Sequence, residues 1–159
     1  MITRTKTVFN VKGLNEIKAK LFAWAAHSSP QAWYDSNQYP HQKSTHDAVL
    51  ALQANPHFSQ ISSYKTLKNA IGKDWLFGFF TYEFSSSWEQ VIATNPSRIS
   101  LSKLQFFCPK KVWLLKGDTL TALYTNLDNA KDDFEHILAT DSLPSRESIA
   151  IDLSPRISK

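Results

Sequence analysis

One cysteine and four glycines in 159 residues leave several kinds of chemistry without their raw material. A lone thiol, Cys108, forms no intramolecular disulfide, and that usage points to the cytoplasm rather than a secreted setting. The glycines, at 13, 72, 78 and 117, are too scattered for a phosphate-cradling loop or a dinucleotide fingerprint. Long apolar runs are also lacking. The amino-terminal MITRTKTVFNVKG has no extended apolar segment behind its basic residues, so neither a targeting sequence nor a membrane span is expected. Charge of one sign is scarce: 18 Lys and Arg less 14 Asp and Glu leave +4, spread singly or in pairs, so no nucleic-acid partner is expected. The five histidines (27, 41, 46, 57 and 136) form neither an HExxH pair nor a zinc-type cluster, and no metal site is expected within the chain. Cys108, in FFCPKK, lacks the tight glycine turn that exposes a nucleophile and reads as a buried, inert thiol. Ser85 to Ser87 lack a nucleophile elbow and suit a helix cap, which leaves no catalytic residue to name.

Apolar and aromatic residues, by contrast, are plentiful at 42% and 13%, enough for a folded domain of ordinary size. Lys6 to Lys12 alternate as a strand; after Gly13, apolar residues from Leu14 to Ala25 recur at helical spacing. Gln31 to Ser36 is a second strand, followed by a polar loop from Asn37 to Ser44. His46 to Ala54 fits a strand or a short buried helix equally well. Tyr64 to Ile71 is a helix stopped by Gly72. The run DWLFGFFTYEF, Asp74 to Phe84, reads as a central strand covered on both faces, with Gly78 allowing a backbone or ligand to come close. Ser85 to Ser87 would then cap a short helix burying Trp88, Val91 and Ile92. Strands at Leu104 to Phe107 and Lys111 to Leu115 are separated by Pro109, and a turn at Lys116 to Asp118 leads to Thr119 to Tyr124. A last helix, capped by Asp128 or Asn129, turns Phe134, Ile137 and Leu138 inward. The fold class is α+β, a mostly antiparallel sheet with short helices. One unit over 1–140 precedes a linker or lead-in over 141–159, where periodicity fails.

Polar residues close three of these apolar strands. Asp35, Ser36 and Asn37 end the second, Ser44, Thr45, His46 and Asp47 begin the third, and Tyr82-Glu83 ends the run around Gly78. A few polar groups at the rim of an apolar pocket are the usual means of orienting a small ligand. The plainer reading of Asp35 to Asn37 is an Asx or Ser turn that bonds only its own backbone.

DWLFGFFTYEF, read with WYDSNQY (Trp33 to Tyr39) and LQFFCPKKVWLL (Leu104 to Leu115), resembles the amino-terminal region of aminodeoxychorismate synthase component I. That is the para-aminobenzoate branch of the chorismate-utilising enzymes, whose nearest relative is anthranilate synthase component I. The likeness covers about Lys6 to Leu120 and is most specific at Gly78, Tyr82 and Glu83. It implies that the whole protein converts chorismate to 4-amino-4-deoxychorismate, for para-aminobenzoate and folate synthesis, with ammonia from a glutamine amidotransferase partner. In the family, chorismate, Mg and the acid-base groups belong to the carboxy-terminal region; Ile151 to Lys159 resembles the lead-in to it. This chain alone is therefore expected to be inactive. The family's strand ending in an acidic residue and serine helps hold tryptophan in some members, and Tyr34-Asp35-Ser36-Asn37 is its counterpart, which makes Ser36 the inherited contact. Thr45 and His46 stand where relatives carry arginine or aromatic residues. The alternatives are anthranilate synthase component I and, in a different class, a stand-alone small-molecule binding module.

Overall fold

The computed structural model of the protein describes residues 3–39, 45–56, 61–87, 101–125 and 129–141. The first strand, β1 (Thr5–Asn10), runs to Gly13, whose φ of 74° starts helix α1 (Leu14–Ala25). Leu14, Ile17, Leu21, Trp24 and Ala25 put an apolar stripe on one side of that helix. After β2 (Gln31–Asp35) comes β3 (Ala48–Ala54), so the ambiguous segment beginning at His46 is a strand. Helix α2 (Tyr64–Ala70) is capped by Ser63, whose hydroxyl accepts the Thr66 N–H. Next come β4 (Phe77–Phe80), a 3₁₀ turn (Tyr82–Ser87), β5 (Leu104–Phe107), β6 (Pro109–Lys116) and β7 (Thr119–Tyr124). Helix α3 (Ala130–Ala139) closes the described chain; Asn129 caps it by accepting the Lys131 N–H, and Asp132 and Asp133 in its first turn suit the positive end of its dipole.

Five strands form one antiparallel sheet in the order β1-β7-β6-β3-β2. Alternation sorts its side chains into two layers. Ala48, Leu50, Leu52, Trp113, Leu115, Leu120, Ala122 and Tyr124 face α1 and α3 and bury the main core with Leu21 and Ile137. Phe134 of α3 stacks on Phe9 of β1 with centroids 4.1 Å apart. Val49, Ala51, Val112, Leu114 and Leu123 face the other way, where Phe77 and Phe107 pack on them. Those two rings belong to a second, two-stranded sheet of β4 and β5, whose outer side packs against α2 through Leu104, Phe106, Leu67 and Ala70. The fold is thus α+β and mostly antiparallel, with three short helices.

The run around Gly78 is not the central strand. It contributes four residues to the small sheet, Phe79 and Phe80 keep 41% and 48% of their surface exposed, and β6 occupies the middle of the large sheet. The continuous apolar run arises because Phe77 packs inward onto the large sheet while Phe80 turns outward to Phe84 and Phe106. Both sides of the strand are apolar for different reasons, and neither side of its outer end is sealed. Pro109 is not a separator either: it opens β6, the strand position where a missing N–H costs least. Leu138 is about half exposed rather than inward, and Ser85 to Ser87 end the 3₁₀ turn, while the helix they were expected to cap lies outside the described residues. Trp88, Val91, Ile92 and the linker beyond Asp141 lie outside the described residues.

Candidate functional site

At one end of the large sheet, β2 and β3 bring Asp35, Ser36 and Asp47 together. The Ser36 N–H donates to the Asp47 carbonyl at 3.0 Å, and the Asp47 N–H donates to the Leu115 carbonyl at 2.8 Å. The carboxylate of Asp47 accepts the Gly117 N–H at 2.6 Å, which ties this corner to the β6–β7 turn. Gly117, with φ of 54°, is the first of the two turn residues, where such a hairpin favours the left-handed region.

Asp35 is held from two sides. The Lys18 ammonium of α1, itself buried, and the Asn37 N–H both donate to Asp35 Oδ1 at 2.7 Å. Burial pushes the carboxyl up, but the bonds from Lys18 and Asn37 outweigh it and hold it below its ordinary value. The Asn37 bond is the Asx turn that sequence alone allowed as the plainer reading, and φ of 50° at Asn37 and 57° at Gln38 completes the bend. Asp35 therefore anchors α1 to the sheet end, and among the described residues no group bonds the Ser36 hydroxyl. Thr45 Oγ1 and His46 Nδ1 lie 2.9 Å apart on the approach to β3. Ser44 is outside the described residues.

Tyr82 and Glu83 stand on the other sheet, in the 3₁₀ turn after β4. Tyr82 is 91% exposed. Hydrogen bonds from its own backbone N–H and the Thr81 hydroxyl, with the nearby Lys103 ammonium, hold the Glu83 carboxyl below its usual value, slight desolvation opposing. The expected meeting of three strand ends is met by β2 and β3; the polar end of the Gly78 strand lies on the smaller sheet.

Between the sheets, beside Tyr34, runs a groove of about 320 Å³. Pro30, Ala32 and Tyr34 line it from the large sheet, and Gly78, Phe79 and Gln105 from the small one. The Tyr34 hydroxyl reaches the Gly78 carbonyl at 3.5 Å. Gln105 was missed by the sequence reading; its alternation with Phe107 on one face of β5 is the signal that carried it.

A second polar cluster, also missed, joins residues 70 positions apart. Arg4 forks onto Asp74, Nε to Oδ1 at 2.8 Å and Nη2 to Oδ2 at 2.7 Å, and donates further to the carbonyls of Pro109, Lys110 and Leu123. Both side chains are more than nine-tenths buried. The Cys108 thiol donates to Asp74 Oδ2 at 3.2 Å. Burial and the Asp74 carboxylate push that thiol up to about 12, so Cys108 is the inert, buried group its sequence context suggested. Among the described residues no three His, Cys, Asp or Glu side chains are grouped to hold a metal, and no helix is long and apolar enough to cross a membrane.

Comparison with known protein families and with curated proteins finds no match for this sequence.

Proposed function

We propose that the chain works as the amino-terminal part of aminodeoxychorismate synthase component I, a packing and ligand-holding region for a chorismate-aminating centre elsewhere in the whole protein. Glutamine amidotransferase would be the partner supplying ammonia, and Mg would belong to that other region. The observation that carries the reading is an uncovered aromatic margin on the smaller sheet and β2. Tyr34 and Phe79, which line the groove, and Phe80, on the outer side of β4, are between 41% and 49% exposed. Apolar surface of this kind marks a place where more protein packs. The identity of that protein rests on the resemblance at Gly78, Tyr82 and Glu83 and at Tyr34 to Asn37.

Complementation tests the reading. A gene encoding the whole protein should restore growth without para-aminobenzoate to a strain lacking component I; rescue of a tryptophan auxotroph instead would assign it to anthranilate synthesis. The purified 159-residue chain should consume no chorismate with Mg and ammonia, and measurable turnover would sink the division of labour. It should also bind an apolar dye or self-associate through the aromatic margin. A strict monomer that binds no dye would remove the observation on which the reading rests.

The groove favours a second reading, a small-molecule binding module. Ser36, with Asp35, Asn37, Thr45, His46 and Asp47 around it, is the ligand contact that the resemblance names, and none of these residues lines the groove. A hydrogen bond to a charged ligand group contributes roughly 1.5 to 3 kcal/mol, so Ser36→Ala should weaken tryptophan binding about tenfold or more by calorimetry. Equal affinities would remove Ser36 from the site.

A further inference from the structure

The chain leaves the large sheet at one point and returns at the same point. Ala54, the last residue of β3, pairs with Pro109, the first of β6, and the Asn55 N–H donates to the Cys108 carbonyl at 2.8 Å. The described residues between Ile61 and Phe107 have their own sheet, their own helix and their own small core of Ile61, Leu67, Ala70 and Leu104. Ile61 and Phe106 exchange both backbone hydrogen bonds within that unit, at 2.7 and 2.9 Å. Among the described residues, several contacts join the unit to the large sheet beyond this neck. Phe77 and Phe107 pack on Val49, Ala51, Val112, Leu114 and Leu123, Tyr34 meets the Phe77 ring and reaches the Gly78 carbonyl, and Arg4 grips Asp74.

Arg4 is placed differently from the other contacts. It precedes β1, so it belongs to the large-sheet side, and three of its bonds go to carbonyls of Pro109, Lys110 and Leu123 on β6 and β7. The remaining two cross to Asp74, which leads into β4 and belongs to the unit. Asp74 in turn covers the thiol of Cys108 at the neck. We propose that the unit formed by residues 61–87 and 101–107 opens as a separate body about the Asn55–Cys108 neck, with Arg4 as the clasp that holds it shut. The same movement widens the groove, whose walls come from both parts, and uncovers Cys108.

Cys108 is thus a reporter already in place. In the wild-type chain, its labelling by a disulfide reagent and the hydrogen exchange of β4 and β5 amides should share one opening free energy. That free energy should be lower, and less dependent on denaturant, than the one governing β6 and β7 amides. Identical values and slopes for both groups would overturn the proposal without any variant. Two substitutions then assign the clasp. Arg4→Met should speed Cys108 labelling on the order of a hundredfold, because it leaves Asp74 without its buried counter-charge. Ile137→Ala, in the core beneath α3, should destabilise the large-sheet part while leaving the labelling rate nearly unchanged, since that core stays folded when the unit opens. Equal acceleration by both would show that the thiol is reached only through global unfolding, and the clasp would be rejected.

Discussion

Replacing Gly78 with alanine should cost about 3 kcal/mol or more, a large effect for one added methyl. A Cβ at this position would lie 2.0 Å from the Gln105 carbonyl oxygen and 2.6 Å from the Phe106 Cα. Both are backbone atoms of the paired strand β5, so no side-chain rotation relieves the overlap. β4 and β5 must move apart, which breaks the register from Phe77↔Phe107 to Phe80↔Leu104 and pulls the Phe77 and Phe107 rings from Ala51 and Val112. Denaturant unfolding of Gly78→Ala should show the loss. A midpoint equal to wild type would mean that the two strands are not paired this closely.

Asp74→Ala should cost about 3 to 5 kcal/mol, the usual penalty for removing one partner of a buried pair. It leaves the Arg4 guanidinium, with only 7% of its side chain exposed, among carbonyl oxygens and without a counter-charge. The same carboxylate carries a pH signature. Burial alone would raise the carboxyl, but bonds from Arg4, the Trp75 N–H and the Cys108 thiol overcome that and hold it below 3.8, the ordinary value. A carboxyl that is lowered on folding contributes stability that is fully present above its unfolded value. That contribution is lost as pH falls through the lower folded one, because the unfolded chain takes up the proton first. Wild type should therefore lose stability as the medium is acidified below roughly pH 5. Asp74→Asn, which removes the titrating group while keeping the shape, should be less stable at neutral pH and show a shallower acid slope. Equal slopes would place the acid-sensitive carboxylate elsewhere.

How much of this was legible beforehand depended on the range of the interaction. Local signals read well: Gly13 before α1, Gly117 in the β6–β7 turn, Asn129 capping α3 and the alternation of β1 all work through neighbours a few residues away. Cys108 was also legible, because an aromatic and a proline on either side leave a thiol little chance of exposure. The rank of a strand within a sheet was not. Trp75 to Tyr82 and Val112 to Leu115 are both apolar runs, and only long-range pairing makes β6 the middle strand and β4 a short strand in the second sheet. Arg4 and Asp74, 70 residues apart, carry no mark in the sequence that they meet. In the candidate site Asp35, Ser36 and Asp47 lie together because β2 and β3 are successive strands whose ends fall side by side. The engagement of Asp35 by Lys18 was not legible, since it depends on how α1 lies across the sheet. That engagement narrows the group a ligand would meet at this corner to the Ser36 hydroxyl and its neighbours.

As proposed, this chain contributes its groove and aromatic margin to a whole protein that aminates chorismate. The most direct measurement is the product formed when the polypeptide encoded by the complete reading frame is incubated with chorismate, Mg and ammonia. The expected product is 4-amino-4-deoxychorismate, recognised by its conversion to para-aminobenzoate when a lyase is added. Release of anthranilate with pyruvate, or recovery of unchanged chorismate under conditions where a known component I is active, would contradict it.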